Sequence, residues 1–399
     1  MPKVIDPNHL TPRDLLDLAS FFIHETVRGV QHWKKDTPYT FSDGSTFTFS
    51  NAVIRRARKE GKVGHRFEFI SQQILGSGGF SHVFQVLGTL AIEPDAVCFK
   101  PYGALTTKIG EDHQLQPKKR VIKIQTHDDM HPIDCAYREY EISKKVTHLG
   151  IKPPTIIGNI SCMVMKELRK CELFDIINAD LDGSKIISLS QRLEISIALL
   201  KAVKEQAHDR GVVHGDIKAE NIFVDINHVP IKIYLYDFGL GVLMDKPQAC
   251  FGGTFGYFPY EVLSKGKKTI KSDLFSTGIL LKLLWRGKSP SMDHKGNQIE
   301  ALNPDLDSLF DGLEDLSPKH AGIIHHILAN MMMPEPGRRI SFEQAIHEFS
   351  SIRLEGPQPL SMPIKKRKNV GDHYAFFAHR DKKPLVEDAK FLPQPAIKV

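Results

Sequence analysis

Cysteine is scarce in this chain, and the cysteines present show no pairing pattern. The 399 residues include five of them, an odd number, and none is spaced as Cys-x-x-Cys. Disulfide frameworks and cysteine-based zinc sites have recognisable counts and spacings. The sequence therefore predicts a reducing compartment, with neither a disulfide scaffold nor a zinc site.

Long apolar runs and a strong charge of one sign are also lacking. The chain has 53 basic and 47 acidic residues, a net charge of +6, and so mild a charge gives no reason to expect nucleic acid as a partner. The most apolar run, residues 277–285, is short and interrupted by Lys282, which predicts a buried helix and no membrane span. The first 18 residues carry several charges and prolines, so we expect no secretory signal and a cytoplasmic location.

The most informative stretch is residues 212–225, where two apolar runs flank a polar loop. The loop places an acid, a cation and an amide at fixed offsets, as Asp216, Lys218 and Asn221. A further apolar run then ends in Asp-Phe-Gly at 237–239. This order of groups suits phosphoryl transfer, because that chemistry depends on positioning and charge neutralisation more than on covalent catalysis.

With both motifs present in this order, the chain resembles the eukaryotic-type (Hanks-type) serine/threonine protein kinases over about residues 70–345. The resemblance implies an α+β, bilobal protein-kinase-like fold, in which a small β-rich N-lobe carries one key helix and a larger C-lobe is mainly α-helical. It also implies ATP and Mg²⁺ as cofactors and a protein serine or threonine as the acceptor. Lys218 together with Thr254 resembles the serine/threonine kinases more than the tyrosine kinases.

The resemblance gives the residues of these two motifs their roles. Asp216 is expected to orient the attacking hydroxyl, and Lys218 to neutralise charge on the transferred phosphate. Asn221 and Asp237 are the expected magnesium ligands.

A second set of catalytic residues is expected upstream. Lys123 lies in the apolar strand 120–124 and matches the lysine that holds the α- and β-phosphates. A lysine buried there needs a carboxylate partner. The apolar phase of the following helix favours Glu139, with Glu141 as the alternative.

The remaining nucleotide contacts are implied by a Gly-rich loop, a hinge and an adenine pocket. The loop at 76–81 would bring backbone N–H groups to the phosphates, with Ser81 in place of the third glycine. Three apolar residues would contact adenine, a methionine would line the back of the pocket, and two glutamates would lie at the hinge and the ribose. The complete implied set is Gly76, Ser77, Gly78, Gly79, Val83, Val121, Lys123, Met165, Glu167, Glu172 and Phe223.

Two departures from the family pattern occur together. Gly215 stands where the family often has an arginine that receives an activating phosphate. Residues 240–252 contain no serine, threonine or tyrosine. We therefore predict a non-RD kinase with a His-Gly-Asp loop that is not controlled by phosphorylation of this segment.

Two further matches concern the substrate platform. Glu261 and Arg339 match a family ion pair that ties the platform to the large lobe. Asp273 matches the acid that braces the backbone of the catalytic loop.

The domain prediction follows from these landmarks. Residues 66–350 form the kinase domain, divided into an N-lobe (66–165) with an insertion at 87–118 and a C-lobe (169–350). The insertion holds prolines, glycines and mixed charge, which favours an exposed loop. Residues 1–65 are an N-terminal extension with a helix, a hairpin and a basic helix, and residues 351–399 are a C-terminal tail.

The flanking segments leave several interpretations open. The basic residues at 55–62 form either a docking surface for a partner or a solvated helix face. The run Lys365-Lys366-Arg367-Lys368 is either a nuclear-import or acidic-surface patch or a solvated tail. A pathogen effector acting in the host cytosol would also suit the extension and the missing activation-loop sites.

Two other functions remain as alternatives. The sequence His214-Gly215-Asp216 followed by Asn221 also resembles the loop of aminoglycoside and choline kinases, which transfer phosphate to small molecules. A pseudokinase scaffold would need a lost catalytic group, whereas Lys123, Asp216, Asn221 and Asp237 are all present. Lys218, Thr254 and Asp273 favour the protein kinases.

Overall fold

The structure is a computed structural model that describes residues 2–78, 81–109, 115–117, 119–168, 171–246, 250, 252–288 and 305–354. These residues form two compact units, which divide between Glu167 and Leu168. The first unit is rich in strands and the second is mainly helical, which confirms the predicted α+β fold. None of the helices in these ranges combines the length and apolarity needed to cross a membrane.

The first unit is built from strands and two helices in its described part. In chain order its elements are β1 (Lys3–Ile5), α1 (Pro12–Val27), β2 (His32–Trp33), β3 (Tyr39–Thr40), β4 (Thr46–Phe49), β5 (Val53–Arg55), β6 (His65–Ser77), β7 (Ser81–Glu93), β8 (Ala96–Pro101), β9 (Leu105–Ile109), β10 (Leu115–Pro117), β11 (Arg120–Thr126), α2 (Asp134–Ser143), β12 (Thr155–Ile157) and β13 (Ile160–Lys166). Its main sheet is antiparallel, with the order β12-β13-β11-β7-β6-β5-β2, and β8 pairs with β7.

Helix α1 begins as the sequence indicates. Thr11 caps it, Pro12 occupies the first turn, and Asp14 completes a capping box with Thr11. Its buried face packs into an aromatic cluster, where the Phe22 ring stacks on Phe67 of β6 with centroids 4.2 Å apart. Burial of aromatic side chains contributes strongly to core stability, so α1 is part of the core of this unit.

The N-terminal extension is joined to the kinase sheet. β5 pairs with β6, and β2 pairs with β5, so backbone hydrogen bonds cross the predicted boundary at 65/66. The hairpin predicted at 39–49 is present as β3 and β4. The predicted basic helix at 55–62 is wrong, because Arg55 ends β5 and the following residues form no helix.

One of those basic residues pairs with a buried acid of the sheet. Arg56 binds Glu68, whose side chain has no exposure, and Arg120 also lies beside Glu68 at 3.7 Å. Glu68 needs such partners because an unpaired buried carboxylate would be costly. Arg56 therefore stabilises the sheet and is not part of a free basic surface.

The insertion at 87–118 is not an irregular loop over its described part. Residues 88–93 of β7 pair with 96–101 of β8 to form a long hairpin, and β9 pairs with β10. Gly88 makes this pairing possible, because a Cβ there would lie 2.1 Å from the Phe99 ring. Pro94 lies in the turn between β7 and β8, and Pro101 ends β8.

The second unit contains most of the helices. In chain order its elements are β14 (Cys171–Glu172), α3 (Leu173–Leu181), α4 (Leu189–Gln206), β15 (Val212–Val213), β16 (Ile222–Asp225), β17 (Lys232–Leu235), β18 (Val242–Leu243), α5 (Tyr260–Lys265), α6 (Ile270–Leu284), α7 (Pro318–Met331) and α8 (Phe342–Ser351). The apolar run at 277–285 falls in α6, which is almost wholly buried and so is the predicted core helix.

Candidate active site

Asp216 lies in the loop between β15 and β16, and three residues contact its carboxylate. Thr254 donates to Oδ1 through both its amide nitrogen and its Oγ1, each at 2.9 Å. Lys218 Nζ lies 3.6 Å from Oδ2. Asn221 Nδ2 donates to Oδ2 at 3.2 Å and to the main-chain oxygen of Asp216 at 2.9 Å. The carboxylate is thus held in one orientation with a cation beside it.

The backbone of this loop is fixed by a buried acid on α6. Asp273 accepts hydrogen bonds from the amides of His214 (2.8 Å) and Gly215 (2.9 Å) and from His208 Nε2 (2.9 Å). Burial raises the pKa of the Asp273 carboxyl, but the hydrogen bonds from His208 and the loop outweigh burial, and the pKa lies below its usual value. Asp273 is therefore held as a carboxylate that anchors the catalytic loop.

The Asp-Phe-Gly motif packs on the same loop. The buried ring of Phe238 lies 4.5 Å from the ring of His214, and His214 Nε2 donates to the main-chain oxygen of Tyr236 at 3.1 Å. Burial lowers the pKa of His214, which favours the neutral imidazole in this position. Asp237 has a left-handed backbone (φ 58°) and an exposed side chain. The buried phenylalanine thus anchors a turn that presents an acid at the surface.

In the first unit, Lys123 and Glu139 form a buried ion pair. Lys123 Nζ donates to Glu139 Oε1 at 2.8 Å, and the two residues are 7% and 4% exposed. Glu141, the alternative partner, is exposed and pairs with Lys144 on the surface. The pair explains how a lysine is accommodated in the centre of the sheet.

The Gly-rich segment forms the hairpin between β6 and β7. Gly76 is opposite Val83, and Ser77 is opposite His82. Gly78 N donates to Ser81 O at 2.8 Å and closes the turn. Gly79, a predicted phosphate contact, lies outside the described residues. Val83 is also opposite Lys123 on β11, so the strand that follows the hairpin turn runs beside this lysine.

The predicted hinge residues lie at the end of β13 in the same sheet. Met165 on β13 is opposite Val121 on β11. Glu167 N donates to Lys119 O at 3.1 Å. The Glu167 carboxylate accepts a hydrogen bond from the hydroxyl of Tyr102, which follows β8. The hairpin of the insertion therefore contacts the predicted hinge directly.

Glu172 and Phe223 meet in the second unit. They are opposite each other on β14 and β16. The Phe223 ring stacks on Tyr236, with centroids 4.4 Å apart, and the Tyr236 hydroxyl lies 3.4 Å from Glu172 Oε1. Tyr236 therefore fixes both predicted nucleotide contacts of this unit.

The family of the chain is decided by comparison with models of known protein families. Residues 102–349, more than half of the chain, match the family model of the protein kinase domain. The chain belongs to this family.

Several curated protein kinases are similar to parts of the chain. A receptor-like serine/threonine-protein kinase of Arabidopsis thaliana is 33% identical over 119 residues, covering 28% of this chain and 33% of the relative. The phosphorylase b kinase gamma catalytic chain, liver/testis isoform, of Mus musculus is 28% identical over 221 residues, covering 52% and 51%. A serine/threonine-protein kinase of Drosophila persimilis is 25% identical over 305 residues, covering 73% and 35%. The chain thus spans from a third to about half of the length of these relatives.

Asn221 and Asp237 carry the kind of oxygen atoms that bind a divalent cation. The amide nitrogen of Asn221 is committed to Asp216, which leaves its oxygen as the ligating atom. Carboxylate and amide oxygens are the ligands that Mg²⁺ accepts, usually with phosphate oxygens and water. Asp237, with its exposed carboxylate, supplies the second such group.

The sequence did not reveal every residue that shapes this site. Tyr102, Tyr236 and His208 contact the predicted residues Glu167, Glu172 and Asp273. Lys268 Nζ donates to the main-chain oxygen of Leu240, the residue after Asp-Phe-Gly, at 2.9 Å. Burial lowers the pKa of Lys268. Tyr236 could have been found from its position before Asp237. The others come from distant parts of the chain and carry no local signal.

Proposed function

We propose that this chain is an ATP-dependent serine/threonine protein kinase. The observation that carries the proposal is the Asp216 carboxylate, which has Thr254 on one oxygen and Lys218 beside the other. An acid oriented by a threonine, with a lysine within reach of the same reacting group, suits transfer of a phosphoryl group to a hydroxyl.

In the proposed mechanism, each of these side chains has its own role. Asp216 orients a serine or threonine hydroxyl of the protein substrate and accepts its proton. Lys218 neutralises the charge that develops on the transferred group. Asn221 and Asp237 would hold a magnesium ion bound with ATP. As the bond from the substrate oxygen to the γ-phosphorus of ATP forms, the bond from that phosphorus to the β–γ bridging oxygen breaks and ADP leaves.

The first unit supplies the other nucleotide contacts in this proposal. Lys123, held by Glu139, binds the α- and β-phosphate oxygens, and the glycine hairpin covers the phosphates with backbone N–H groups. Val83 and Val121 of the first unit have the adenine-contact role that the family resemblance implies. Phe223 of the second unit is assigned the same role on the same ground. Met165, Glu167 and Glu172 have the hinge and ribose roles that the family resemblance implies.

We also propose that phosphorylation of the segment after Asp-Phe-Gly does not control this kinase. Residues 240–252 offer no hydroxyl. The first hydroxyl beyond them, that of Thr254, is bound to Asp216. Tyr257 is 1% exposed, and burial raises the pKa of its hydroxyl well above the usual value. A phosphate on either residue would disrupt the arrangement around Asp216.

The protein kinase is favoured over a small-molecule phosphotransferase by the platform after this segment. Glu261 forms an ion pair there with the buried Arg339, as the resemblance to protein kinases implies. The names of the similar proteins, among them serine/threonine-protein kinases, point to the same acceptor. We also propose a cytoplasmic location and a docking role for the N-terminal extension.

The test is phosphate transfer from labelled ATP with Mg²⁺ to a generic basic protein. The wild-type chain is compared with Asp216→Ala and Lys123→Ala, and with Asp315→Ala, which removes an exposed aspartate of the second unit. We expect phosphoserine or phosphothreonine with the wild type and Asp315→Ala, and none with the two site variants. Near-full rates in either site variant would contradict the assigned roles.

Two other results would favour the alternatives. ATP use with small hydroxylated or amino compounds, but not with proteins, would indicate a small-molecule phosphotransferase. Binding of ATP without turnover on any acceptor would indicate a scaffold.

A further inference from the structure

Lys268 is a buried lysine with no role in the mechanism above. It lies between α5 and α6, immediately before Thr269, the N-cap of α6, and it is 6% exposed. Its Nζ donates to the main-chain oxygen of Leu240 at 2.9 Å. Leu240 directly follows the Asp-Phe-Gly motif. Because an amine loses its hydration when buried, it needs partners that compensate for the loss.

The position of Lys268 depends on the glycine in the catalytic loop. A Cβ built on Gly215 would lie 2.8 Å from Lys268 Cδ, 3.2 Å from Lys268 Nζ and 2.5 Å from Leu240 O. The space beside position 215 is therefore filled by the lysine. In the kinases that this chain resembles, that position often holds the phosphate-binding arginine. In this chain Lys268, which precedes α6, places its amine in the space beside position 215.

The carbonyl that Lys268 contacts lies at the start of the segment after Asp-Phe-Gly (residues 240–252), close to its far end. Leu240 O accepts a hydrogen bond from Cys250 Sγ at 3.7 Å as well as the one from Lys268 Nζ. Cys250 N in turn donates to Gly266 O at 3.0 Å. The Leu240 carbonyl is thus bound both by the far end of the segment and by the lysine that precedes α6.

The start of the segment is also paired with the strand that leads into the catalytic loop. Val242 is opposite Val213 in the ladder of β15 and β18, and Met244 N donates to Gly211 O at 2.9 Å. A lysine that fixes Leu240 therefore fixes the strand that runs beside the approach to Asp216. Within the described part of the segment, Leu240, Val242 and Met244 are therefore all held by contacts to neighbouring elements.

We propose that Lys268 is a positioning residue that holds the segment after Asp-Phe-Gly in its catalytic conformation, in place of a phosphate bound by an arginine at position 215. This inference rests on the proposed kinase function. The inference identifies Lys268 as the group that makes phosphorylation of this segment unnecessary.

The experiment uses the full chain after phosphatase treatment and compares four proteins. Lys268→Met removes the amine but keeps the length of the side chain, and Lys268→Arg keeps a basic group. Lys267→Met is the matched control, because Lys267 is the exposed neighbour. With wild type as reference, we measure kcat, the KM for ATP, and hydrogen exchange of the Val242 and Met244 amides.

We expect the phosphatase-treated wild type to be active and Lys268→Met to lose about a hundredfold in kcat, the size of effect that a displacement of about 1 Å produces. The KM for ATP should stay unchanged, since Lys268 lies outside the proposed nucleotide contacts. Lys268→Arg should recover most of the loss, and Lys267→Met should match the wild type. Amide exchange should be faster in Lys268→Met alone.

The inference is overturned if Lys268→Met matches Lys267→Met in kcat or in amide exchange. If the wild type transfers no phosphate, the proposed function fails, and amide exchange alone then decides the role of Lys268. Equal exchange in the two methionine variants would reject that role, and faster exchange in Lys268→Met would support it.

Discussion

Arg339 binds Glu261 through two parallel hydrogen bonds, Nη1 to Oε1 at 2.6 Å and Nη2 to Oε2 at 3.0 Å. The Arg339 side chain has no exposure, and its guanidinium lies over the ring of Phe275, 5.0 Å from the centroid. The same group also donates to three main-chain oxygens, those of Met333, Lys271 and Pro334. One side chain therefore joins α5, α6 and the turn after α7.

Replacing this arginine should destabilise the second unit strongly. Arg339→Met would leave Glu261 and three carbonyl groups without their donor, and removing one partner of a buried pair costs about 3–5 kcal/mol. Arg338→Met is the control, because Arg338 is exposed (68%) and should change the stability by less than about 0.5 kcal/mol. Urea unfolding followed by Trp285 fluorescence, in a Trp33→Phe background, measures the difference. Equal midpoints for the two variants would show that the pair is dispensable.

The N-terminal extension should be required for the first unit to fold. Phe22→Ala removes a fully buried ring that stacks on Phe67 of the kinase sheet, and such a truncation costs about 3–5 kcal/mol. The neighbouring Ile23 is 45% exposed, so Ile23→Ala should cost much less. Urea unfolding followed by Trp33 fluorescence, in a Trp285→Phe background, makes the comparison. An extension that merely rests on the kinase domain would give the same small effect for both variants.

The contribution of Asp273 to stability should disappear in acid. Because its pKa is lower in the folded protein than in the unfolded chain, its contacts contribute fully above the usual value of about 3.9 and are lost as the pH falls through the lowered pKa. Asp273→Asn cannot titrate at this position. We expect the wild type to exceed the variant in unfolding free energy at about pH 5 and the gap to narrow by up to about 1.4 kcal/mol per pH unit below about pH 4. A gap independent of pH would mean that the carboxylate is not what holds the loop.

The sequence alone could predict the groups whose spacing is local. Asp216, Lys218 and Asn221 belong to one loop. Because they are only a few residues apart in the sequence, their spacing largely determines which of their side chains come into contact. Lys123 and Glu139 are further apart, but the apolar phase of a helix indicates which acid faces the sheet, and the structure pairs these two. The family and the α+β fold followed from such motifs and are confirmed.

What the sequence could not predict depends on contacts between distant segments. The basic run after position 54 resembles a surface helix in composition, yet the pairing of β5 with β6 turns Arg56 onto Glu68. Composition does not say which of several arginines turns inward. The buried position of Lys268 could not be predicted from composition either, because only the structure shows that Gly215, which has no side chain, leaves space for the lysine.

Gly215 should tolerate no side chain. Its φ is +74°, and a Cβ would lie 2.5 Å from the oxygen of Leu240, a backbone atom that cannot move without shifting the segment. The left-handed backbone alone costs a residue with a Cβ about 1–2 kcal/mol. Gly215→Ala should therefore lower both the stability of the second unit and the rate of phosphate transfer.

Gly322 is the matched control, since it lies in α7 with no atom within 4 Å of a Cβ built there. Gly322→Ala should stabilise the helix by about 0.5–1 kcal/mol, so the two substitutions have opposite expected signs. Thermal unfolding and labelled phosphate transfer measure both effects. Gly215→Arg, which introduces the family's arginine, should be inactive and unresponsive to phosphorylation, because the new side chain would have to displace Lys268. An active, phosphate-responsive Gly215→Arg would show that the loop can rearrange to accept the arginine.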